Sequence, residues 1–457
     1  MKITVKDFAE TCGGKVIRGA KETEILSIAI DSRQVGPGAL FVPIVGERTD
    51  AHRYIGKAFS AGAAAALTQE PEKAAGGAGA LIAVQDTREA LRKAAAVWRR
   101  RFRGPVVGIT GSVGKTTTKE MTALAVSSGM RVVKTEGNQN SQIGLPLTMF
   151  RLSPEYDAAV IEMGMSEFGE MSRIAAVAAP DYAVMTNIGL SHIGNLGSRE
   201  NIRAEKLHIT DCFHEGSVLF LNGDDPMLMP LHGKMPFRTV CYGTRSGCDF
   251  RAENIRLGEK SCKFQAKAPD GKSAQVTLPV PGIHSVLDAL AGLAVSFVLG
   301  VPLEKAAIAL SGYRTPSMRM QIRKTGAGIT VIDDSYNSSP DAAKSSIDVL
   351  CGFRSGRRIA VLADMLELGK YSRQGHFEVG AFAAKAGVNA LVTVGTEAKA
   401  IADGAHSVNP DMECHVCENN AEAILALKKI LLPGDTVLIK GSHSTNVSEI
   451  VSELLTV

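Results

Sequence analysis

Short apolar runs that end in glycine or a polar loop, each followed by a segment of helical period, recur along most of this chain. Runs at 105–110, 131–135, 158–163, 182–188 and 217–222 alternate with helical stretches. Their continuous apolar character predicts parallel strands buried on both faces. A second series at 328–334, 357–363, 390–395 and 435–440 alternates with helices in the same way and predicts a second doubly wound domain. Between the two series, 238–280 reads as short antiparallel strands and 284–299 as a buried helix. Ahead of the first series, residues 28–42 read as two short strands around the turn Gly36-Pro37-Gly38. An alanine-rich helix follows, then a strand at 80–84 and a helix at 87–101. The pattern divides the chain into units 1–103, 104–313 and 314–457. Its 457 residues suit about three domains of ordinary size. The fold class expected is α/β: a small N-terminal domain, a central parallel sheet and a C-terminal doubly wound domain.

Charge and composition narrow the class. A net charge of +4, spread along the chain, is too small to argue for nucleic acid or a membrane surface. The basic cluster Arg99-Arg100-Arg101-Phe102-Arg103 precedes a Gly104-Pro105 break and reads as a solvated helix end. The first residues hold no apolar signal core. The greasiest stretch, 289–303, is too short to span a bilayer and is flanked by Asp288 and Glu304. A cytoplasmic protein without an integral membrane segment is expected. Eight scattered cysteines fit a reducing compartment. Cys414 and Cys417 have metal-like spacing but no second pair. They also lie in an alternating stretch, where residues three apart point to opposite faces, so they read as structural.

The clearest chemistry lies at Val106-Val107-Gly108-Ile109-Thr110-Gly111-Ser112-Val113-Gly114-Lys115-Thr116-Thr117. A β-branched run enters a glycine loop, and a helical segment opens at a Lys-Thr pair. Glycines let backbone N–H groups turn onto anionic oxygens, and the helix N-terminus adds partial positive charge. Lys115 is placed to reach terminal phosphates, and the Thr116 hydroxyl to bind Mg²⁺. The spacing is unusual, with only two residues between Gly111 and Gly114. ATP or GTP is the expected ligand.

Other polar residues gather at predicted strand ends. Glu162 follows the run 158–161 and suits Mg²⁺, and His192 lies past the next strand. Histidine is an odd Mg²⁺ ligand, which two metals or Mn²⁺ would ease. The helical stretch 200–208 offers Glu205, Lys206 and His208, and on residue chemistry alone Glu205 is the natural further ligand. In the last third, Arg319 is a candidate charge clamp on a phosphoryl group. The loop Asp333-Asp334-Ser335-Tyr336-Asn337 is suited to face a nucleotide, or else is a polar turn before a helix capped near Ser339.

Taken together, these strings resemble the Mur ligase family of ATP-dependent amide-bond-forming enzymes. The resemblance also rests on Asp31-Ser32-Arg33, Ile143-Gly144-Leu145-Pro146, Glu162-Met163-Gly164-Met165, Asp364-Met365-Leu366-Glu367-Leu368-Gly369 and Lys440-Gly441-Ser442, and it spans the chain. Within the family it is similar to members that join D-alanyl-D-alanine to UDP-N-acetylmuramoyl-tripeptide through an acyl phosphate. It implies a uridine-nucleotide-binding first domain, a central P-loop ATPase and a Rossmann-like lid, acting as a monomer. It places ATP against Gly111, Ser112, Val113, Gly114, Lys115, Thr116, Thr117, His284, Arg319, Asp334, Tyr336 and Asn337. Metals fall to Thr116, Glu162, His192 and Lys206, the last as a CO₂-derived carbamate, which replaces the choice of Glu205. Lys115, Lys206, His192 and Arg319 carry the catalysis. Ser32 and Arg33 face the UDP substrate.

The chain departs from the family pattern in places. Ser285 and Asp288 stand where asparagines are usual, Ser141 replaces another, His443 stands for an arginine and Ala51 for a glycine. Three rivals are a sister ligase adding one amino acid or a folylpolyglutamate-synthetase-like relative, a nucleotide switch, and a degenerate ligase kept as a scaffold, against which the intact Lys115, Glu162, His192 and Lys206 argue. The Asp-Asn-Pro-Arg string of one sister and the Asn-Lys-x-Asp string of switch GTPases are both absent.

Overall fold

The computed structural model describes residues 2–46, 49–73 and 77–456. Among them, three large sheets carry the fold. The N-terminal sheet has the strand order Lys15–Arg18, Ala80–Ala83, Ala65–Thr68, Ala39–Phe41, Ser27–Ala29. All of its pairings are parallel except that of Lys15–Arg18. The two strands around Gly36-Pro37-Gly38 therefore form no hairpin, because Ser27 stands opposite Ala39 in parallel register. The alanine-rich stretch is not one helix either. The helix Ile55–Ser60 stops before Gly62 (φ 96), and Ala65–Thr68 is a wholly buried strand. Sheet position overrides alanine's helix preference there.

The central sheet has nine strands, ordered Ser273–Leu278, Cys262–Lys267, Phe250–Leu257, Arg238–Gly243, Val218–Asn222, Tyr182–Met185, Val106–Thr110, Ala158–Glu162, Val132–Lys134. The five expected parallel strands lie together; four are buried as their apolar runs require, whereas Val132–Lys134 forms the sheet edge and buries only Val133. The reading of 238–280 needs correction. Arg238–Gly243 extends the parallel sheet, Phe250–Leu257 meets it in parallel, and antiparallel pairing begins only with Cys262–Lys267. The buried helix runs Ile283–Val298 and packs on the helix Lys115–Ser127. Gly292 makes that approach possible, since a Cβ there would stand 3.0 Å from the Thr122 backbone.

Arg99 is a second correction. Its side chain is buried, and its guanidinium donates to Ala178 O (2.7 Å), Ala179 O (2.9 Å) and Asp181 Oδ2 (3.0 Å). It satisfies the carbonyls that end the helix Glu170–Ala178. Arg100, Arg101 and Arg103 are exposed, as expected of a solvated helix end.

The C-terminal sheet is ordered Gln321–Lys324, Thr330–Asp333, Thr436–Lys440, Arg358–Ala363, Ala390–Val394, Glu413–Cys417. It is parallel except for Gln321–Lys324, a polar edge strand with no apolar run to announce it. All eight cysteines are free, with Cys417 buried and Cys414 half-buried. Among the described residues no helix is long and apolar enough to cross a membrane.

Candidate active site

A cleft of about 750 Å³ opens between the central and C-terminal sheets, with Lys115, Glu162 and His192 on one wall and Arg319, Tyr336 and Glu367 on the other. The strand Val106–Thr110 delivers the glycine loop to its floor. Gly111 (φ 151) is pressed against Thr186, whose Oγ1 would lie 1.9 Å from a Cβ, so no other residue fits. The loop after Tyr182–Met185 holds the glycine loop in shape. Val113 N donates to Asn187 Oδ1 (2.9 Å), Ser112 N to Asn187 O (3.0 Å) and Gly189 N to Ser112 Oγ (2.9 Å). Thr116 and Thr117 line the cleft from the first turn of the helix Lys115–Ser127, which opens after Gly114 (φ 85).

Lys115 Nζ donates to Gly111 O (2.9 Å) and Ser112 O (3.3 Å). Burial lowers its pKa, with Glu162 opposing. Lys206, on the helix Arg199–Leu207, is fully buried and donates to the same Gly111 O at 3.0 Å. Burial, and then the charge of Lys115, push its pKa well below the ordinary lysine value. It lies behind the glycine loop and does not itself line the cleft.

Glu205, its neighbour, has a different task. Its Oε2 accepts from Gly169 N and its Oε1 from Met171 N, both at 2.9 Å, which caps the helix Glu170–Ala178. Residue chemistry alone selected Glu205 as a ligand, and the fold uses its carboxylate elsewhere. His208 is paired with Asp211 (3.0 Å) outside the cleft.

Glu162 ends the strand Ala158–Glu162. Its Oε1 accepts from Asn140 Nδ2 (2.6 Å), whereas Oε2 is buried without a hydrogen-bond partner and lies 3.8 Å from Lys119 Nζ. A buried carboxylate oxygen without a hydrogen-bond donor, on a cleft that Thr116 also lines, suits a divalent cation. Among the described residues no three His, Cys, Asp or Glu side chains converge as a metal cluster. His192 (φ 63) places Nδ1 2.7 Å from Glu367 Oε2.

The C-terminal wall is tightly braced. Arg319 stacks with its Cζ 4.0 Å from the centre of the Tyr336 ring, which lies 5.3 Å from the His443 ring. Asp334 accepts from Met320 N (3.2 Å), Ser346 Oγ (2.7 Å) and Lys440 Nζ (2.5 Å), so its carboxylate organises the Arg319 loop. Asn337 receives Lys440 Nζ on its carbonyl at 3.0 Å. Ser339 takes the N-cap position of the helix Pro340–Cys351, as expected, but its hydroxyl makes no capping hydrogen bond.

His284 lines the cleft, with its pKa lowered by burial. Ser285 turns back to Pro281 O (2.8 Å). Asp288 accepts from Thr118 Oγ1 (2.7 Å) behind Gly114, and burial raises its pKa to about 7. Ser32 and Arg33 stand apart from the cleft, and Arg33 is exposed and forked onto Asp31 (2.6 Å). Residue reasoning gave no task to Glu367 or to Asp341, whose Oδ2 accepts Leu190 N (3.0 Å) across the cleft. The one available signal was position: Glu367 lies in the loop after a predicted C-terminal strand, and Asp341 in the first turn of the helix after another.

Comparison with known proteins extends this picture. Three family models match: "Mur ligase family, catalytic domain" over 24–99, "Mur ligase middle domain" over 109–296 and "Mur ligase, glutamate ligase domain" over 318–443. The UDP-N-acetylmuramoyl-tripeptide–D-alanyl-D-alanine ligase of Bacillus subtilis is 36% identical over 458 residues, covering 100% of this chain and 99% of the relative. The Escherichia coli enzyme of the same name is 31% identical, covering 99% and 98%. The crystal structure of MurF from Acinetobacter baumannii superposes with a TM-score of 0.92 at 29% identity, covering 100% and 99%. MurF from Thermotoga maritima, solved with ADP, gives 0.81 at 28% identity, covering 94% and 97%.

Proposed function

The chain belongs to the Mur ligase family of ATP-dependent ligases, and from that premise we propose that it joins D-alanyl-D-alanine to UDP-N-acetylmuramoyl-tripeptide. A carboxylate is a poor electrophile. Transfer of the γ-phosphoryl group of ATP to the terminal carboxylate of the tripeptide gives an acyl phosphate and ADP. The amine of D-alanyl-D-alanine attacks that carbonyl, loses a proton, and expels phosphate from the tetrahedral intermediate.

The observation that supports the reading is the opposition of Lys115 and Arg319 across one cleft that Glu162 also lines, with an oxygen that accepts no hydrogen bond. In this assignment Lys115 and Arg319 steady charge on the phosphoryl oxygens. Backbone N–H groups of 111–117 cradle the phosphates. His284, Asp334, Tyr336 and Asn337 border the nucleotide. Thr116, Glu162, His192 and a carbamylated Lys206 would hold Mg²⁺, or Mn²⁺ in its place. The cation, when bound, supplies charge neutralisation for the phosphates. The lowered pKa of Lys206 supports the carbamate, because a neutral amine is the form that adds to CO₂, releasing a proton.

Ser32 and Arg33 are assigned to the uridine diphosphate. The exposed guanidinium of Arg33 is free to exchange its fork from Asp31 to a diphosphate. The domains assigned are 1–103, 104–313 and 314–457, in a cytoplasmic monomer. Phosphate release from ATP, measured with UDP-muramyl tripeptide and a panel of amino acids and dipeptides, tests the function. Release that requires D-alanyl-D-alanine supports it. Release that requires a single amino acid instead overturns the acceptor assignment.

A further inference from the structure

Gly189 stands between the two walls of the cleft. A Cβ there would lie 2.2 Å from Asp341 Oδ2 on the C-terminal side and 3.4 Å from Ser112 Cβ in the glycine loop. Gly189 does not lie in left-handed backbone, so this close approach, not backbone freedom, is what asks for glycine. The peptides around it tie the same two residues together. Gly189 N donates to Ser112 Oγ (2.9 Å), Ser191 Oγ to Ser112 O (3.4 Å) and Leu190 N to Asp341 Oδ2 (3.0 Å). Farther along the seam the walls meet again, with Gly194 N donating to Glu367 O (3.0 Å) and Tyr371 OH to Gly197 O (3.0 Å). Those two contacts end on Gly194 and Gly197, whereas the Asp341 contact ends beside the residue that holds Ser112.

Asp341 belongs to the first turn of the helix Pro340–Cys351, just after the loop that carries Asp334, Tyr336 and Asn337. Its carboxylate reaches from that wall to the segment that braces Ser112 and Val113. An N–H donating to a carboxylate makes a stronger tie than one donating to a neutral acceptor. Donor and acceptor belong to opposite walls, so the bond is made and broken with the cleft. We propose that Asp341 is a positioning residue: its carboxylate latches the C-terminal unit to Leu190 N and so holds the nucleotide-facing residues of that unit over the glycine loop. This rests on the ligase reading only in taking the cleft as the nucleotide site.

The test is ADP affinity of the full chain in the presence of Mg²⁺, measured by isothermal titration calorimetry, with urea unfolding alongside. Asp341→Ala is expected to weaken ADP about three- to tenfold, the range of one partly exposed hydrogen bond, at an unchanged urea midpoint. Asp341→Asn, whose amide oxygen accepts the same N–H, is expected to stay within about twofold of the parent. Gly189→Ala is expected to weaken ADP as Asp341→Ala does, because its methyl group takes the place of the carboxylate oxygen. The double variant is expected to match the single ones within about twofold, since each change removes the same contact. Unchanged ADP affinity in Asp341→Ala overturns the proposal. So does a loss in Asp341→Asn as large as that in Asp341→Ala, because the hydrogen bond would then play no part. Additive losses in the double variant overturn it too, since the two positions would then act apart. A parent protein that binds ADP while Asp341→Ala is unchanged fails this proposal alone. Dipeptide-dependent phosphate release by the parent tests the ligase reading separately.

Discussion

Lys115 and Lys206 share one acceptor: both ammonium groups donate to Gly111 O, at 2.9 and 3.0 Å. Two cations on one carbonyl, one of them fully buried, form an arrangement that favours loss of a proton from the buried partner. Lys206→Ala is therefore expected to abolish amide formation, and added short carboxylates to restore part of it. Full activity in Lys206→Ala would remove this lysine from the site. Mass spectrometry of protein held under CO₂ and trapped with a carbamate-alkylating reagent gives a direct second measurement.

Glu205, one residue earlier, predicts the opposite division. Its two backbone contacts cap the helix Glu170–Ala178, so Glu205→Ala is expected to lose about 1–2 kcal/mol of stability in urea unfolding. Turnover per folded molecule is expected to stay close to the parent value. A large loss of turnover at unchanged stability would contradict this division.

The contrast between these two residues shows what the chain made legible. Periodicity placed both on one helix and marked the glycine loop, because helices and phosphate loops are local patterns. Which of two adjacent side chains turns to Gly111 depends on packing between segments about ninety positions apart, and no local signal carries it. Arg99 was misread for the same reason: its partners, Ala178 and Asp181, come from another unit of sequence. Ala65–Thr68 was misread because burial on both faces of a sheet, not propensity, makes it a strand. The metal and nucleotide residues named from family resemblance do line the cleft, apart from Gly111 beneath its floor and Lys206 behind the loop.

Asp288 predicts a pH effect. Its pKa of about 7 exceeds the unfolded value of about 3.9, so the fold binds this proton more tightly than the unfolded chain does. The associated stability is full below about pH 4 and is lost as pH rises to about 7. Asp288→Asn keeps an acceptor for Thr118 and removes the buried charge. It is expected to be more stable than the parent by on the order of 2–4 kcal/mol at pH 8 and nearly level with it near pH 4. Equal unfolding midpoints at pH 8 would contradict the assignment.

Arg319 has its Cζ 4.0 Å from the centre of the Tyr336 ring, which holds its guanidinium at the cleft wall. Arg319→Ala is expected to lower kcat about 100-fold with a smaller change in KM for ATP. Arg319→Lys is expected to recover little, because an ammonium neither forks nor stacks in that way. Steady-state phosphate release at saturating substrates checks both.

Gly194 and Gly369 meet back to back: a Cβ on Gly194 would stand 2.8 Å from Glu367 O, and one on Gly369 2.9 Å from Gly194 Cα. A single methyl group at either position acts as a wedge. It props the two walls apart and parts Glu367 from His192, while Lys115, Glu162 and Arg319 keep the contacts made within their own walls. Such a protein uncouples the two halves of the reaction, because an acyl phosphate formed in a propped cleft meets water before it meets an amine. It would consume ATP and release the tripeptide unchanged.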